Sequence, residues 1–118
     1  MYKPTYNNIS KERVIQLLRA LVSIKSPYFH EHEIMEFTNS WLNEHGVPAK
    51  IHSYCDDVAT NFCGENVCGC IDSGKPGHII YLGGHLDTVN LCEGWTKPEY
   101  DGYIEDGYMY GLGSLDMK

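Results

Sequence analysis

The chain has 118 residues, enough for one globular domain and too few for two of ordinary size. Hydrophobic residues make up 42% of it and glycines number 12, a composition typical of an α/β protein. Sixteen acidic residues against nine basic ones give a net charge of −7. This acidic excess argues against nucleic-acid and anionic-membrane partners, because both require clustered positive charge.

Cysteine content and apolar runs bear on the cellular compartment. Five cysteines, an odd number, cannot all pair with one another. We therefore expect reduced thiols in a cytoplasmic protein. The first eight residues contain no apolar run of the kind found in a secretory leader. No apolar stretch approaches the roughly 18 residues that a membrane span needs.

The first half of the chain predicts two amphipathic helices. Ser10 is a candidate N-cap for the first, which should end near Val22 to Ser23, ahead of Ser26-Pro27. The second should run from about Glu31 to His45, with Gly46 as the residue that ends it. Apolar residues recur at helical spacing in both: Val14, Leu17, Leu18 and Leu21 in the first, and Ile34, Phe37, Trp41 and Leu42 in the second.

The rest of the chain predicts strands. Ala49 to Tyr54 and Asn66 to Ile71 are candidates, and the short apolar run from His78 to Leu82 predicts a central strand buried on both faces. Asp106-Gly107, between tyrosine-rich runs, is a hairpin signal. These elements predict an α/β fold in which helices pack on a mixed sheet.

His85 and Asp87 are the first candidates for chemistry. Side chains two positions apart in a strand point to the same face, so the imidazole and the carboxylate should be neighbours. A carboxylate beside a metal-bound histidine fixes the orientation and tautomer of the ring. A lone His-x-Asp is weak evidence for a metal site, since the pair also occurs without one.

Asp116 strengthens the case for a metal site. It follows Gly111 and Gly113, and glycines there let the backbone approach a ligand closely or adopt positive φ. A plainer interpretation makes these glycines turn residues and Asp116 a helix N-cap. If strand ends gather ligands as α/β sheets usually do, His85, Asp87 and Asp116 should converge.

Two stretches together resemble a known family. They are Gly84-His85-Leu86-Asp87-Thr88-Val89, with Trp95 and Pro98 beyond it, and the segment from Asp106 through Gly111-Leu-Gly-Ser-Leu-Asp116-Met-Lys118. Both are similar to the N-terminal part of the zinc aminoacylase / carboxypeptidase family, which includes acetylornithine deacetylase, succinyl-diaminopimelate desuccinylase and several dipeptidases. The resemblance extends from about residue 10 to the last residue. It implies that residues 1–118 form the N-terminal portion of a zinc-exopeptidase-like α/β/α catalytic domain.

The resemblance also implies roles for three residues. His85 would bind one metal of a dinuclear pair, Asp116 would bridge both metals, and Asp87 would be the catalytic carboxylate beside the histidine. The cofactor would be two zinc ions, with cobalt or manganese fitting the same ligands. The implied reaction is metal-assisted hydrolysis of amide bonds in N-acyl amino acids or small peptides, by an enzyme of deacetylase, desuccinylase or dipeptidase type. A homodimer is one assembly that the resemblance allows for the complete protein.

The sequence departs from the family pattern in two ways. Leu112 stands where an arginine is common between the two glycines, which leaves the substrate open. The family's Glu-Glu pair, a further acidic ligand, a late histidine and the lid or dimerisation domain would all lie beyond Lys118. We therefore expect no activity from these 118 residues alone. The alternative is a truncated, non-catalytic relative that serves as a binding or structural module.

Other clusters have plainer explanations. Cys55, Cys63, Cys68 and Cys70 lack the spacing of a zinc knuckle, so structural cysteines are favoured over a thiolate metal or redox module. Cys68 and Cys70 would share one face of a strand, buried there as small apolar residues. The run His30-Glu31-His32-Glu33 lacks the four-residue histidine spacing of zincins and predicts the polar first turn of the second helix. The tyrosines from Tyr100 to Tyr110 fit a hairpin better than a stacking surface for bases.

Overall fold

The computed structural model describes residues 9–118, and the first eight residues, where the sequence predicts no secretory leader, lie outside that range. Its elements in chain order are helices α1 (Lys11–Ser23) and α2 (His32–Glu44), strands β1 (Ala49–Asp56) and β2 (Phe62–Gly69), and short strands β3 (Tyr103–Glu105) and β4 (Tyr108–Tyr110). The strands form two separate antiparallel pairs, β1 with β2 and β3 with β4. The α/β class is confirmed. Among the described residues, no helix has the length and apolar character needed to cross a membrane.

Helix α1 forms where the sequence predicts it. The side chain of Ser10 accepts a hydrogen bond from the backbone N–H of Arg13 at 3.3 Å, which satisfies one of the unpaired donors of the first turn. The helix ends at Ser23, and Ile24 is already extended. Leu21 and Val22, in its last turn, are buried and contribute half of the buried hydrophobic residues in the described chain.

Helix α2 packs on the β1–β2 hairpin through its apolar stripe. Ile34 is fully buried, and Phe37, Trp41 and Leu42 are half-buried, as the periodicity predicts. Gly46 follows the helix with φ of 80°, a conformation that favours glycine at the end of a helix. Asn43 then ties the helix end to β1, because its side chain exchanges hydrogen bonds with the backbone of Ala49.

The β1–β2 hairpin is longer than the sequence predicts. Strand β1 extends to Asp56, and β2 begins at Phe62 rather than near Asn66 and stops at Gly69. The Asp56 carboxylate accepts hydrogen bonds from the backbone N–H groups of Val58, Ala59 and Thr60, which order the connecting loop. These bonds lower the pKa of Asp56 below its usual value, because they stabilise the charged carboxylate, and the bond from Ala59 has the largest effect.

The expectation that all thiols are reduced is wrong for one pair. The antiparallel register sets Cys55 directly opposite Cys63, and the two form a disulfide. Cys68, Cys70 and Cys92 are free and exposed, so Cys68 and Cys70 are not the buried apolar residues that their spacing predicts. Across residues 9–118, no cysteine takes part in a cluster of three or more side chains suited to a metal.

The central strand predicted for His78 to Leu82 does not form. Within the described chain this run pairs with no strand, and the side chains from Ile79 to Leu82 are 85–96% exposed. A strand needs a neighbour to satisfy its N–H and C=O groups, and the described residues provide none for this run. The prediction failed because an apolar run indicates burial without indicating which strand would provide it.

The second hairpin confirms the Asp-Gly signal. Strands β3 and β4 pair as Tyr103 with Tyr110 and Glu105 with Tyr108. The turn residues Asp106 and Gly107 have φ of 52° and 83°, the left-handed pair that a two-residue hairpin turn needs. The hairpin places the Gly111–Lys118 segment, which follows β4, against the end of α1.

The contact between His32 and Glu65 predicts a pH dependence in the packing of α2 on β2. His32 Nδ1 lies 2.6 Å from Glu65 Oε2, and Glu36 lies near the other ring nitrogen. The hydrogen bond to Glu65 raises the pKa of His32 above its usual value of 6.5, and the charges of Glu65 and Glu36 add to it. Because the folded pKa is the higher one, this contact stabilises the fold below pH 6.5 and is lost as pH rises through the raised pKa.

Two measurements check this expectation. A proton NMR titration should give His32 a pKa above 6.5 in the wild-type chain and a lower one in Glu65→Gln. Glu65→Gln should reduce thermal stability more at mildly acidic pH than at pH 8.5. An equal loss at both pH values would show that protonated His32 does not hold α2 to β2.

Candidate metal centre

The segment that carries His85 and Asp87 is held by the turn after α1. Thr88 N–H donates to the carbonyl of Ser26 at 2.8 Å, and Tyr28 N–H donates to the carbonyl of Thr88 at 3.0 Å, which forms an isolated parallel bridge. The Ser26 hydroxyl donates to the carbonyl of Leu86 at 2.7 Å. Ser26 is fully buried and Thr88 nearly so. Three hydrogen bonds thus fix the backbone between His85 and Thr88.

Replacing Ser26 with alanine should loosen this attachment. The change removes the only side-chain hydrogen bond to the partly buried Leu86 carbonyl among the described residues. A typical hydrogen bond contributes about 0.5–1.5 kcal/mol, so we expect that loss in the free energy of unfolding. Ser40→Ala, on an exposed position of α2, is the control and should change little. Equal denaturant midpoints for the two variants would contradict the role given to Ser26.

The segment Gly111–Lys118, here named the Asp116 loop, packs against α1 and Thr88 through its glycines. Gly111 lies so close to Val22 that a Cβ there would overlap the valine side chain. A Cβ on Gly113 would lie 2.9 Å from Thr88 Cγ2, and Gly113 also has φ of 86°. Leu112, between them, is buried and its N–H donates to the carbonyl of Glu99 at 2.8 Å. The glycines are therefore required by close packing, and Leu112 is a core residue.

The structure brings His85, Asp87 and Asp116 together. His85 Nδ1 lies 3.1 Å from Asp87 Oδ1, and His85 Nε2 lies 3.0 Å from Asp116 Oδ1. The imidazole thus sits between two carboxylates that come from positions two and 31 residues away in the chain. Asp87 occupies the Nδ1 side of the ring, and Asp116 faces the Nε2 side.

The two carboxylates change the protonation of the ring. The hydrogen bond to Asp116 is the main cause that raises the pKa of His85 above its usual value, and the charge of Asp87 adds to it, while partial desolvation opposes both. When protonated, the ring donates from both nitrogens. The Asp116 side chain is 87% exposed, so its second oxygen is open to a ligand from solvent.

The donor set fits part of a metal site. An imidazole nitrogen and a carboxylate oxygen face one another, while the other ring nitrogen is held by a carboxylate, which is how protein carboxylates orient metal-bound histidines. Zinc takes four ligands in structural sites and three protein ligands in catalytic ones. Residues 9–118 contain no group of three or more His, Cys, Asp or Glu side chains that could hold an ion. His85 and Asp116 together offer two donor atoms, fewer than either kind of zinc site uses.

Sequence reasoning missed two residues near these side chains. In the sequence, Ser26 is marked only as the residue before a proline, although its hydroxyl binds the Leu86 carbonyl. Lys118 is marked only as the last residue of the second motif, yet its ammonium binds carbonyls at the end of α1. Burial lowers the pKa of Lys118 to about 8. Neither has a local signal, because each acts on a segment more than 50 residues away.

Comparison with known proteins finds relatives of this chain among curated hydrolases. The chain is 30% identical over 112 residues to a probable succinyl-diaminopimelate desuccinylase of Staphylococcus epidermidis. It is 29% identical over 112 residues to the succinyl-diaminopimelate desuccinylase of Orientia tsutsugamushi, and 34% identical over 110 residues to a LysW-lysine / LysW-ornithine hydrolase of Pyrococcus furiosus. No family model and no solved structure matches the chain.

The alignments differ in how much of each protein they cover. Each spans 93% of this chain but only 26%, 27% and 28%, respectively, of these three relatives. The chain thus spans about a quarter of the length of the curated relatives it matches, in agreement with the N-terminal segment that the motifs indicate. Over 93% of its length the chain is thus homologous to proteins named succinyl-diaminopimelate desuccinylase and LysW-lysine hydrolase.

Proposed function

We propose that this chain provides the His85–Asp87–Asp116 part of the metal centre of a dinuclear zinc amidohydrolase. The observation that carries the proposal is the placement of one imidazole between two carboxylates, with Nε2 facing Asp116 and Nδ1 held by Asp87. The names of the relatives support it, because each is a hydrolase of a modified amino acid.

Each of the three side chains has a distinct task in this proposal. His85 would bind the metal through Nε2, and Asp116 would bind it through a carboxylate and bridge to the second ion. Asp87 would hold the imidazole by its Nδ1–H, which fixes the tautomer and makes Nε2 a stronger donor. When bound, the metal lowers the pKa of a water molecule and polarises the scissile carbonyl. The general base and the remaining ligands would come from outside these 118 residues.

The substrate class is an N-acyl amino acid or a small peptide. A cavity of about 200 Å³ adjoins His85 and Asp87 and extends between α2 and the β1–β2 hairpin, with Thr38, Tyr54 and Glu65 in its wall. It is smaller than the roughly 300–1,000 Å³ of a typical ligand pocket, so it would accept only part of such a substrate. The relatives are named for succinyl-diaminopimelate and for LysW-linked lysine or ornithine, which favours an N-acylated diamino acid.

Hydrolysis assays test the proposal. The complete polypeptide that the gene encodes should hydrolyse N-succinyl-diaminopimelate or another N-acyl amino acid, lose that activity with a chelator and regain it with zinc. The 118-residue chain alone should show no hydrolysis, because residues 9–118 contain no cluster of three or more side chains that could hold a metal. A complete gene product that binds no zinc and hydrolyses none of these amides would contradict the proposal and favour a non-catalytic binding module.

A further inference from the structure

Lys118 connects two parts of the chain that are far apart in sequence. Its Nζ donates to the carbonyls of Ile24 at 2.6 Å and of Leu21 at 3.1 Å, across 94 and 97 residues of chain. Both carbonyls belong to the C-terminal end of α1, where the last four carbonyls of a helix lack intrahelical partners. Ile24 follows the helix directly as its C-cap.

The end of α1 has no cation of its own. Its last turn contains no basic residue, although positive charge is favoured there by the helix dipole. Lys118 supplies that charge from a distant segment. Among the described residues, Lys118 alone places a side-chain donor on these two carbonyls, and its ammonium is partly buried there.

Both ends of the Asp116 loop are fixed. The backbone N–H of Lys118 donates to the carbonyl of Gly113 at 2.9 Å, which closes the turn over Ser114 to Met117. The aliphatic stem of Lys118 lies over Gly113, since a Cβ there would be 3.1 Å from Cγ and Cδ of the lysine. Asp116 lies inside this closed turn, and its neighbours Leu115 and Met117 are 95% and 46% exposed.

These contacts make the lysine a tether for the Asp116 side of the loop. The Asp116 side chain contacts His85 but makes no other hydrogen bond among the described residues. With Leu115 and Asp116 in solvent, packing alone does not fix their position. The ammonium of Lys118 binds two carbonyls at the C-terminal end of α1 and so attaches the Asp116 loop to that end. Ser26, in the turn that follows the same helix, holds the His85 segment. Both sides of the His85–Asp116 contact are therefore attached to one end of α1.

We infer that Lys118 is a positioning residue that sets the place of Asp116 opposite His85 by anchoring the Asp116 turn to the C-terminal end of α1. The importance of this anchor for metal binding rests on the function proposed above, whereas the anchor itself is a property of the 118-residue chain. Lys118 touches neither His85 nor the proposed metal, so it acts only through the turn.

The first test does not depend on a metal. The ¹⁵N chemical shift of His85 Nε2 should change on Asp116→Asn in the wild-type background, because the two side chains are hydrogen-bonded. In a Lys118→Met background, which keeps the stem and removes the ammonium, that response should be largely lost. In a Lys118→Arg background it should return. An undiminished response in Lys118→Met would overturn the inference.

The second test uses Co²⁺ as the probe and absorption spectroscopy as the readout. Lys118→Met should weaken Co²⁺ binding about 10–100-fold, the loss typical of removing a group that supports a metal ligand. Lys75→Met, at an exposed lysine in a surface turn, is the matched control and should bind as the wild type does. Co²⁺ affinity unchanged in Lys118→Met would contradict the inference.

The two tests separate failure of the inference from failure of the proposed function. If the wild-type chain binds no Co²⁺, the weak binding expected from its two donors is contradicted, and the NMR comparison alone decides the role of Lys118. Should Lys118→Met not fold, as judged by circular dichroism, Lys118→Gln replaces it in both tests, since it removes the charge and shortens the reach to the carbonyls.

Discussion

Alanine at His85 or at Asp116 should abolish zinc binding by this chain. The wild-type chain should bind zinc weakly, because His85 Nε2 and Asp116 Oδ1 are two donors where a tight site needs three or four. Loss of either leaves a single donor, which cannot hold the ion against water. Isothermal titration calorimetry with zinc at pH 7.5 should therefore show a weak site in the wild type and no measurable heat in His85→Ala or Asp116→Ala.

Asp87→Ala should behave differently from both. Its carboxylate faces Nδ1 of the ring and has no contact with Asp116, so its removal leaves both donors in place. We expect zinc affinity to fall about 10–100-fold, the cost of losing the group that orients a histidine ligand. If the complete protein is the hydrolase proposed above, Asp87→Ala in it should keep most of the metal and lose turnover. An unchanged kcat there would remove Asp87 from the catalytic residues and leave it a structural role.

Controls for these variants come from the same chain. His52→Ala removes an exposed histidine on β1 and should leave zinc binding unchanged. Cys68→Ser tests whether an exposed free thiol binds the ion instead. Tight zinc binding that survives His85→Ala and disappears with the free cysteines would show that the ligands are thiolates and not the His–Asp pair.

Local signals in the sequence predicted the local elements of the fold. Ser10, Gly46 and Asp106-Gly107 each mark a boundary through their own backbone preferences, and the structure has a helix start, a helix end and a hairpin turn at these points. Side-chain spacing also predicted that His85 and Asp87 would be neighbours. Such features depend on residues within a few positions of one another.

Pairing between distant segments was not predictable in the same way. The apolar run from His78 to Leu82 looks like a buried strand, but burial depends on a partner that the run does not specify. Cys55 lies opposite Cys63 only because β2 begins at Phe62, four residues before the predicted start at Asn66, so the predicted strands did not pair the two cysteines. The contacts of Ser26 and Lys118 join segments 60 and more than 90 residues apart, and no periodicity reports them.

Gly113→Ala should be among the most destabilising single changes in the chain, and Gly74→Ala is its matched control. Both glycines have positive φ, 86° and 66°, so alanine at either position costs about 1 kcal/mol in backbone strain. Only Gly113 is also crowded: an added Cβ would lie 2.9 Å from Thr88 Cγ2 and 3.1 Å from the Lys118 stem, whereas nothing lies within 4 Å of one on Gly74.

The difference between the two variants isolates the close packing of the Asp116 loop. Overpacking adds about 1–3 kcal/mol, so we expect Gly113→Ala to lower the free energy of unfolding by about 2–4 kcal/mol and Gly74→Ala by about 1 kcal/mol. Urea denaturation of both variants measures this. Because the new methyl would push apart Thr88, next to Asp87, and Lys118, near Asp116, zinc affinity should also fall in Gly113→Ala alone. Equal stability losses in the two variants would mean that the loop shifts to accept the methyl, and that the packing around Gly113 does not hold Asp116 opposite His85.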